Sequence, residues 1–259
     1  MAANPPDDAR FIDVDDRTLH YQVLGPAESD APIVFLHEGL GSVDLWRRFP
    51  GNVTTATGRQ GLIYSRYGNG WSTPLREPRR PDYMHEEASH VLPKVLDRFV
   101  NGAPVLVGHS DGASIALIYA GSGNPVGGLV LIAPHVFVEE ETIASIGSIR
   151  DRFGESDLAL KMSKHHLEPE RTFYGWADVW LSPAFRNWNI EEYLSGVSCP
   201  ILVIQGDADE YGTSKQLESI EAGVCGRVTT VLVEDAGHSP HLSHTEQVTD
   251  TVTGFIAGL

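Results

Sequence analysis

Ser110 stands at the centre of Gly108-His109-Ser110-Asp111-Gly112, the segment of this chain best placed to do chemistry. Pro104-Val105-Leu106-Val107 precedes it and reads as a buried strand. Ala113-Ser114-Ile115-Ala116-Leu117-Ile118-Tyr119-Ala120 follows it and reads as a helix. A Gly-x-Ser-x-Gly turn between strand and helix is tight enough to strain the Ser backbone and push its hydroxyl out of the sheet. A side chain at 108 or 112 would collide where helix and strand cross. The helix N-terminus adds positive potential where an oxyanion would form. Taken alone, the same pentapeptide also fits a solvated Ser on a Gly-rich turn, so the rest of the chain must supply partners.

The elements that must position such a serine recur along the sequence. Residues 17–23 alternate polar and apolar, as a half-exposed strand does. Residues 33–36, 62–64, 129–132, 201–204 and 230–233 are short apolar runs suited to strands buried on both faces. Residues 84–99 have helical apolar spacing, with Pro93 a kink or break, and residues 246–256 close the chain as a helix. Strands alternating with helices predict an α/β fold with a mostly parallel central sheet flanked by helices. The rhythm fails between 135 and 197, where no strand is evident and Phe173, Tyr174, Trp176, Trp180, Phe185 and Trp188 accumulate. This stretch reads as a helical cap inserted in a core made of residues 1–134 and 198–259. Ligands in open α/β sheets sit outside the carboxyl ends of the strands, where such a lid would close an apolar pocket. Most of these aromatics are expected to pack the cap onto the core, with one or two facing substrate.

Two further segments carry a resemblance. Gln205-Gly206-Asp207-Ala208-Asp209 follows the run at 201–204, and Glu234-Asp235-Ala236-Gly237-His238-Ser239-Pro240-His241-Leu242 follows the run at 230–233. With the serine turn, and over nearly the whole chain outside the cap, they resemble the α/β-hydrolase superfamily. The likeness is to its Ser-nucleophile, small-cap, esterase-like branch. The resemblance implies Ser110 as nucleophile, Asp209 as acid and His238 as base, in the chain order that this fold requires. The chemistry suits these types. A Ser hydroxyl needs a base to take its proton, and imidazole titrates near neutrality. A carboxylate behind the imidazole fixes its tautomer and stabilises the imidazolium. Asp207 is the competing acid, with a loop-capping role as its alternative.

The resemblance also implies an oxyanion hole made by the backbone N–H groups of Asp111 and Gly39. The loop is His37-Glu38-Gly39-Leu40-Gly41, where the family usually has His-Gly. Glu38 could repel anionic substrates, hold a cationic group, or point away and pair with an Arg such as Arg66. The last of these is the expectation here. Candidate substrate-pocket residues are Glu38, Trp46, His109, Trp176 and Trp180, with a core role the alternative for Trp46. His37 reads as structural. The segment 65–72 resembles the family's Gly-x-Gly-x-Ser turn and is assigned no chemistry.

Other features mainly exclude. The formal charge of −16, from 19 Lys+Arg against 35 Asp+Glu, argues against nucleic acid and anionic membrane as partners. No apolar stretch approaches a membrane span, and polar residues 1–10 do not form a signal peptide, so a cytoplasmic location is expected, with the first residues disordered. Cys199 and Cys225 give no disulfide framework, and Cys199 is expected to be a buried thiol. His238, His241 and His244 fall at three-residue intervals but would spread over a loop and a helix start, so no metal is implied. His165 and His166 are read as solvated. No organic cofactor is implied either.

The expected function is therefore cleavage of a small, fairly apolar carboxylic ester through an acyl-enzyme. The alternatives are a carbon–carbon bond hydrolase of ring-fission products, which would need a pocket Arg, and a slow-turnover small-molecule receptor of the same fold. The natural substrate, the choice among ester, thioester, lactone and amide, and the oligomeric state stay open.

Overall fold

Short runs that are apolar at every position become the centre of a sheet. In the computed structural model, which describes residues 4–26 and 31–259, the strands are β1 (Arg10–Val14), β2 (Arg17–Leu24), β3 (Ile33–Leu36), β4 (Gly61–Tyr64), β5 (Val105–His109), β6 (Gly128–Ile132), β7 (Ile201–Gly206) and β8 (Val228–Val233). They form one sheet in the order β1-β2-β4-β3-β5-β6-β7-β8. β2 is antiparallel to both of its neighbours, and every other pairing is parallel. β3 to β7 are buried throughout, as strands covered on both faces must be.

Side-chain alternation then divides the core in two. Val34, Leu36, Leu106, Leu129 and Leu131 face one side; Ile33, Phe35, Val105, Val107 and Val130 face the other. Around the sheet lie α1 (Phe49–Thr57), α2 (Tyr83–Glu86), α3 (Leu92–Phe99), α4 (Asp111–Gly121), α5 (Glu140–Arg152) and α6 (Leu158–Met162). They are followed by α7 (Pro169–Leu181), α8 (Glu191–Leu194), α9 (Ser214–Gly223), α10 (Pro240–Ser243) and α11 (Thr245–Ala257). α1 and α11 cover the second face through Phe49, Val53, Val248, Val252 and Ile256. α3 and α4 cover the first. Among the described residues no helix is long and apolar enough to cross a membrane.

All seven expected strands are present, with ends within two residues of those expected. β1 was not anticipated. It is a five-residue edge strand whose charged first residue and exposed Phe11 mask the alternation that buries Ile12 and Val14. The helix expected over 84–99 is interrupted. α2 passes through a π-helical segment, Glu87–Val91, into α3, where Pro93 occupies the first turn. A proline ring crowds the carbonyl one turn earlier, and a widened turn accommodates it. The disorder expected of the first residues falls partly on residues 1–3, which lie outside the described residues.

Between β6 and β7 the chain is helical from α5 to α8, and its one extended pairing is a bridge between Phe137 and Asn189. Phe173, Trp176, Trp180, Phe185 and Trp188 join the same core as α4, and Phe173 stacks on Phe153 with ring centroids 3.8 Å apart. Two expectations need correction. His166 is not solvated: it is buried, and its Nδ1 accepts the Gly70 N–H at 2.9 Å, so a histidine in this segment supports a core loop. Cys199 is only half-buried, because it precedes β7 rather than lying within it.

Candidate active site

The serine turn is built by steric exclusion. β5 ends at His109 and α4 begins at Asp111, leaving Ser110 at φ 52° and ψ −117°. Such backbone costs about 1–3 kcal/mol and persists only where the surroundings enforce it. A Cβ on Gly112 would lie 1.8 Å from the Leu36 carbonyl oxygen, so only glycine lets α4 start this close to β3. Ser110 is buried except toward a cavity of about 200 Å³, and its hydroxyl has no protein partner among the described residues.

Asp209 and His238 follow the carboxyl ends of β7 and β8. The His238 Nδ1–H donates to Asp209 Oδ1 at 2.9 Å and Oδ2 at 3.0 Å. The same carboxylate accepts the Tyr211 N–H at 2.9 Å and Gln205 Nε2 at 3.3 Å. Burial would raise the Asp209 pKa, but the His238 hydrogen bond and charge outweigh it and hold the carboxyl below its usual value. Burial alone would lower the His238 pKa; the Asp209 hydrogen bond and charge, helped by Glu38 and Glu210, keep it above 6.5. Asp207 is exposed, and its side chain makes no hydrogen bond among the described residues. Loop capping, the alternative offered for Asp207, belongs instead to Asp209 through the Tyr211 N–H.

The loop after β3 is held by its carbonyls. Arg66 Nη2 donates to the His37 carbonyl at 3.1 Å and the Glu38 carbonyl at 2.8 Å. His37 Nδ1–H also donates to the Glu38 carbonyl, at 2.6 Å, while its Nε2 accepts the Arg66 N–H at 2.9 Å. Asn69 Nδ2 donates to the Gly39 and Gly41 carbonyls, each at 3.0 Å. A trans peptide points its N–H opposite its C=O. Fixing the Glu38 carbonyl therefore turns the Gly39 N–H away from Arg66, and Gly39 lines the Ser110 cavity. Neither the Gly39 nor the Asp111 N–H meets a protein acceptor among the described residues. Arg66 also lies 3.6 Å from the buried Asp111 carboxylate, which accepts the Tyr83 hydroxyl at 2.6 Å.

Two tryptophans one helical turn apart on α7 back these two amides. Trp176 packs so closely on Gly39 that a Cβ there would sit 2.2 Å from its Cδ1. Trp180 Nε1–H donates at 3.1 Å to the Tyr83 hydroxyl, which in turn holds Asp111. Both tryptophans line the cavity, as do His109, His135, Tyr211 and Glu210. His109 Nε2–H donates to the His238 carbonyl at 2.8 Å, so it steadies the histidine loop as well as forming wall. Trp46 takes its core alternative: it packs on Phe35, Phe49 and His241 and borders an adjoining cavity that shares Glu38, His109 and Ser239 with the one at Ser110.

Glu38 departs from expectation. Arg66 binds its backbone carbonyl, not its carboxylate. The carboxylate lines the cavity with Ser110 and His238, and its Oε2 accepts the Leu40 N–H at 2.5 Å. Burial pushes its pKa up to about 7 against that hydrogen bond, and the Asp111 charge adds to the rise. The guanidinium was already engaged by carbonyls, which leaves the carboxylate to the cavity. The sequence reading missed Arg66 and Asn69 as positioning residues. The available signal was polar side chains directly after a wholly apolar strand, where burial demands partners. Among the described residues no group of three His, Cys, Asp or Glu side chains gathers as a metal site would require.

Taken together, the site brings a serine, a His238–Asp209 pair and two unbonded backbone amides into one neighbourhood. Comparison with known proteins gives the same fold. The carboxylesterase of Nitrososphaera gargenis superposes with a TM-score of 0.77 at 15% identity, covering 96% of this chain and 98% of its own. The thermophilic esterase of Thermogutta terrifontis gives 0.70 at 17% identity, covering 97% and 98%. The proline iminopeptidase of Mycobacterium smegmatis gives 0.70 at 18% identity, again covering 97% and 98%. No curated protein matches the chain. Residues 33–251 match the alpha/beta hydrolase family across the serine turn, Asp209 and His238, and the chain belongs to that family.

Proposed function

We propose that this protein is a serine hydrolase that cleaves a small, fairly apolar carboxylic ester. Ser110 Oγ attacks the ester carbonyl while His238 Nε2 takes its proton. The carbonyl oxygen becomes an oxyanion held by the Gly39 and Asp111 N–H groups. Collapse expels the alcohol, which leaves with the proton from His238, and the acyl group stays on Ser110. Water, deprotonated by His238, then attacks the acyl-enzyme and releases the acid. Asp209 keeps the His238 proton on Nδ1 and stabilises the imidazolium. Residues 135–197 act as the cap, giving Thr142, Ile146, Trp176 and Trp180 to the cavity wall.

One observation carries this reading. Ser110 and His238, the latter held from behind by Asp209, line one cavity with Gly39, and the Gly39 and Asp111 N–H groups lack protein acceptors among the described residues. The lining favours the ester reading over the carbon–carbon alternative. Ring-fission substrates carry carboxylates, yet the cavity wall presents Glu38 and Glu210 and no Lys or Arg. The test is hydrolysis of p-nitrophenyl esters, from acetate to dodecanoate, by wild type and Ser110→Ala. Turnover that disappears in the variant is expected, with a short-chain optimum. Absence of Ser110-dependent turnover across the panel refutes the reading.

A further inference from the structure

The reaction just described makes no use of the acids in the cavity wall. Glu38 precedes the Gly39 amide by one residue, and a negative charge there opposes an oxyanion rather than stabilising it. Its Oε2 is occupied by the Leu40 N–H, and its Oε1 has no hydrogen-bond partner among the described residues. Glu210 joins the same wall, its Oε2 accepting the His238 N–H at 3.1 Å. No Lys or Arg lines this cavity; Arg66 is turned to carbonyls and to Asp111, and Arg47 lies in the adjoining cavity that Glu38 also borders. Trp176, Trp180 and Tyr211 supply aromatic faces. His135 completes the wall: it is 2% exposed, its Nδ1 has no partner among the described residues, and burial lowers its pKa to about 4. It therefore offers a neutral acceptor, not a second positive charge.

The partly buried Glu38 carboxylate and the exposed Glu210 carboxylate border a wall that holds no Lys or Arg. Carboxylates beside aromatic faces form the lining that attracts a cation, through charge and through ring quadrupoles. We propose that this cavity selects esters that carry an ammonium or quaternary ammonium group within a few atoms of the scissile carbonyl, with Glu38 as the specificity-determining residue. This rests on the serine-hydrolase reading. The cation would supply the positive charge the wall lacks and would screen Glu38 from the oxyanion.

The experiment uses matched ester pairs that differ only in charge. Choline butanoate is compared with the neutral isostere in which C(CH3)3 replaces the trimethylammonium. The p-nitrophenyl ester of trimethylammonio-butanoate is compared with its tert-butyl isostere in the same way, and p-nitrophenyl hemisuccinate supplies an anion. The expected result is a kcat/KM about tenfold or more higher for the cation in at least one pair, with the anion poorest. Glu38→Gln keeps an acceptor for the Leu40 N–H and should bring the cation-to-isostere ratio close to one. Ser110-dependent hydrolysis with a wild-type ratio near one overturns this inference alone. So does a ratio that Glu38→Gln leaves intact. If no ester is hydrolysed in a Ser110-dependent way, both this inference and the hydrolase reading fall. Should the variant not fold, the wild-type ratios and competitive inhibition of a neutral ester by tetramethylammonium still decide; no inhibition overturns the proposal.

Discussion

Asp209→Asn is the sharpest perturbation, because its surroundings leave the amide no comfortable orientation. Asp209 Oδ1 faces two donors, the Tyr211 N–H and His238 Nδ1, both at 2.9 Å. Oδ2 faces two more, His238 Nδ1 at 3.0 Å and Gln205 Nε2 at 3.3 Å. Gln205 cannot turn its amide over without losing its 2.8 Å bond to the Gly212 carbonyl. An asparagine that keeps its oxygen on the Tyr211 side therefore points its NH2 at two donors. One relief is for His238 to move its proton to Nε2, where it can no longer accept one from Ser110. The other keeps the tautomer and loses only the charge. With charge centres about 4 Å apart and an effective dielectric near 20, that loss is about 4 kcal/mol of imidazolium stabilisation. It corresponds to about three powers of ten in rate, and the tautomer change extends it toward four. Exposed Asp207→Asn should stay within about twofold of wild type, as surface changes do. The assay is kcat/KM on p-nitrophenyl butanoate, with circular dichroism to check folding. Asp209→Asn retaining more than about a tenth of activity, or Asp207→Asn losing as much, refutes the assignment.

Three further outcomes are expected. The base must be neutral to act, so kcat/KM should fall as pH drops through a His238 pKa above 6.5. The Glu38 and Glu210 charges help to raise that pKa, so Glu210→Gln should move the acid limb to lower pH; a pH–rate profile reads the sign. Asn69→Ala removes the donor to two buried carbonyls, each worth about 1–3 kcal/mol if left unpaired. It should lower kcat more than it raises KM and reduce Tm in a thermal melt. Gly39→Ala drives a Cβ into Trp176 and should cost about a hundredfold or more in kcat/KM. Trp176→Ala should recover part of that loss in the double variant, so additive losses in the cycle would contradict the contact.

The parallel strands were legible because burial on both faces leaves a continuous apolar run, and Ile33 to Leu36 shows it in four residues. β1 was not, because a half-exposed edge strand with Arg10 and Asp13 carries little apolar signal. The serine turn could be located because steric exclusion dictates its glycines. Sequence order alone could not separate Asp209 from Asp207; the Tyr211 N–H and the path of the loop after β7 do so in three dimensions. Glu38 was misread because pairing with Arg66 looked natural in one dimension. The guanidinium meets the loop's carbonyls first, and a sequence does not reveal which atoms of a neighbour are already taken.

The pair of tryptophans on α7 has a consequence for engineering. One leans on Gly39, which offers the first proposed oxyanion amide, and the other reaches the second, that of Asp111, through Tyr83. On the proposed reading, the helical segment 135–197 is therefore not an interchangeable module. A graft that replaced α7 to change substrate range would remove the backing of both amides at once. Lids that keep Trp176 and Trp180 above Gly39 and the core's Tyr83 should keep turnover, whereas those that lack them should lose it before substrate choice can be measured.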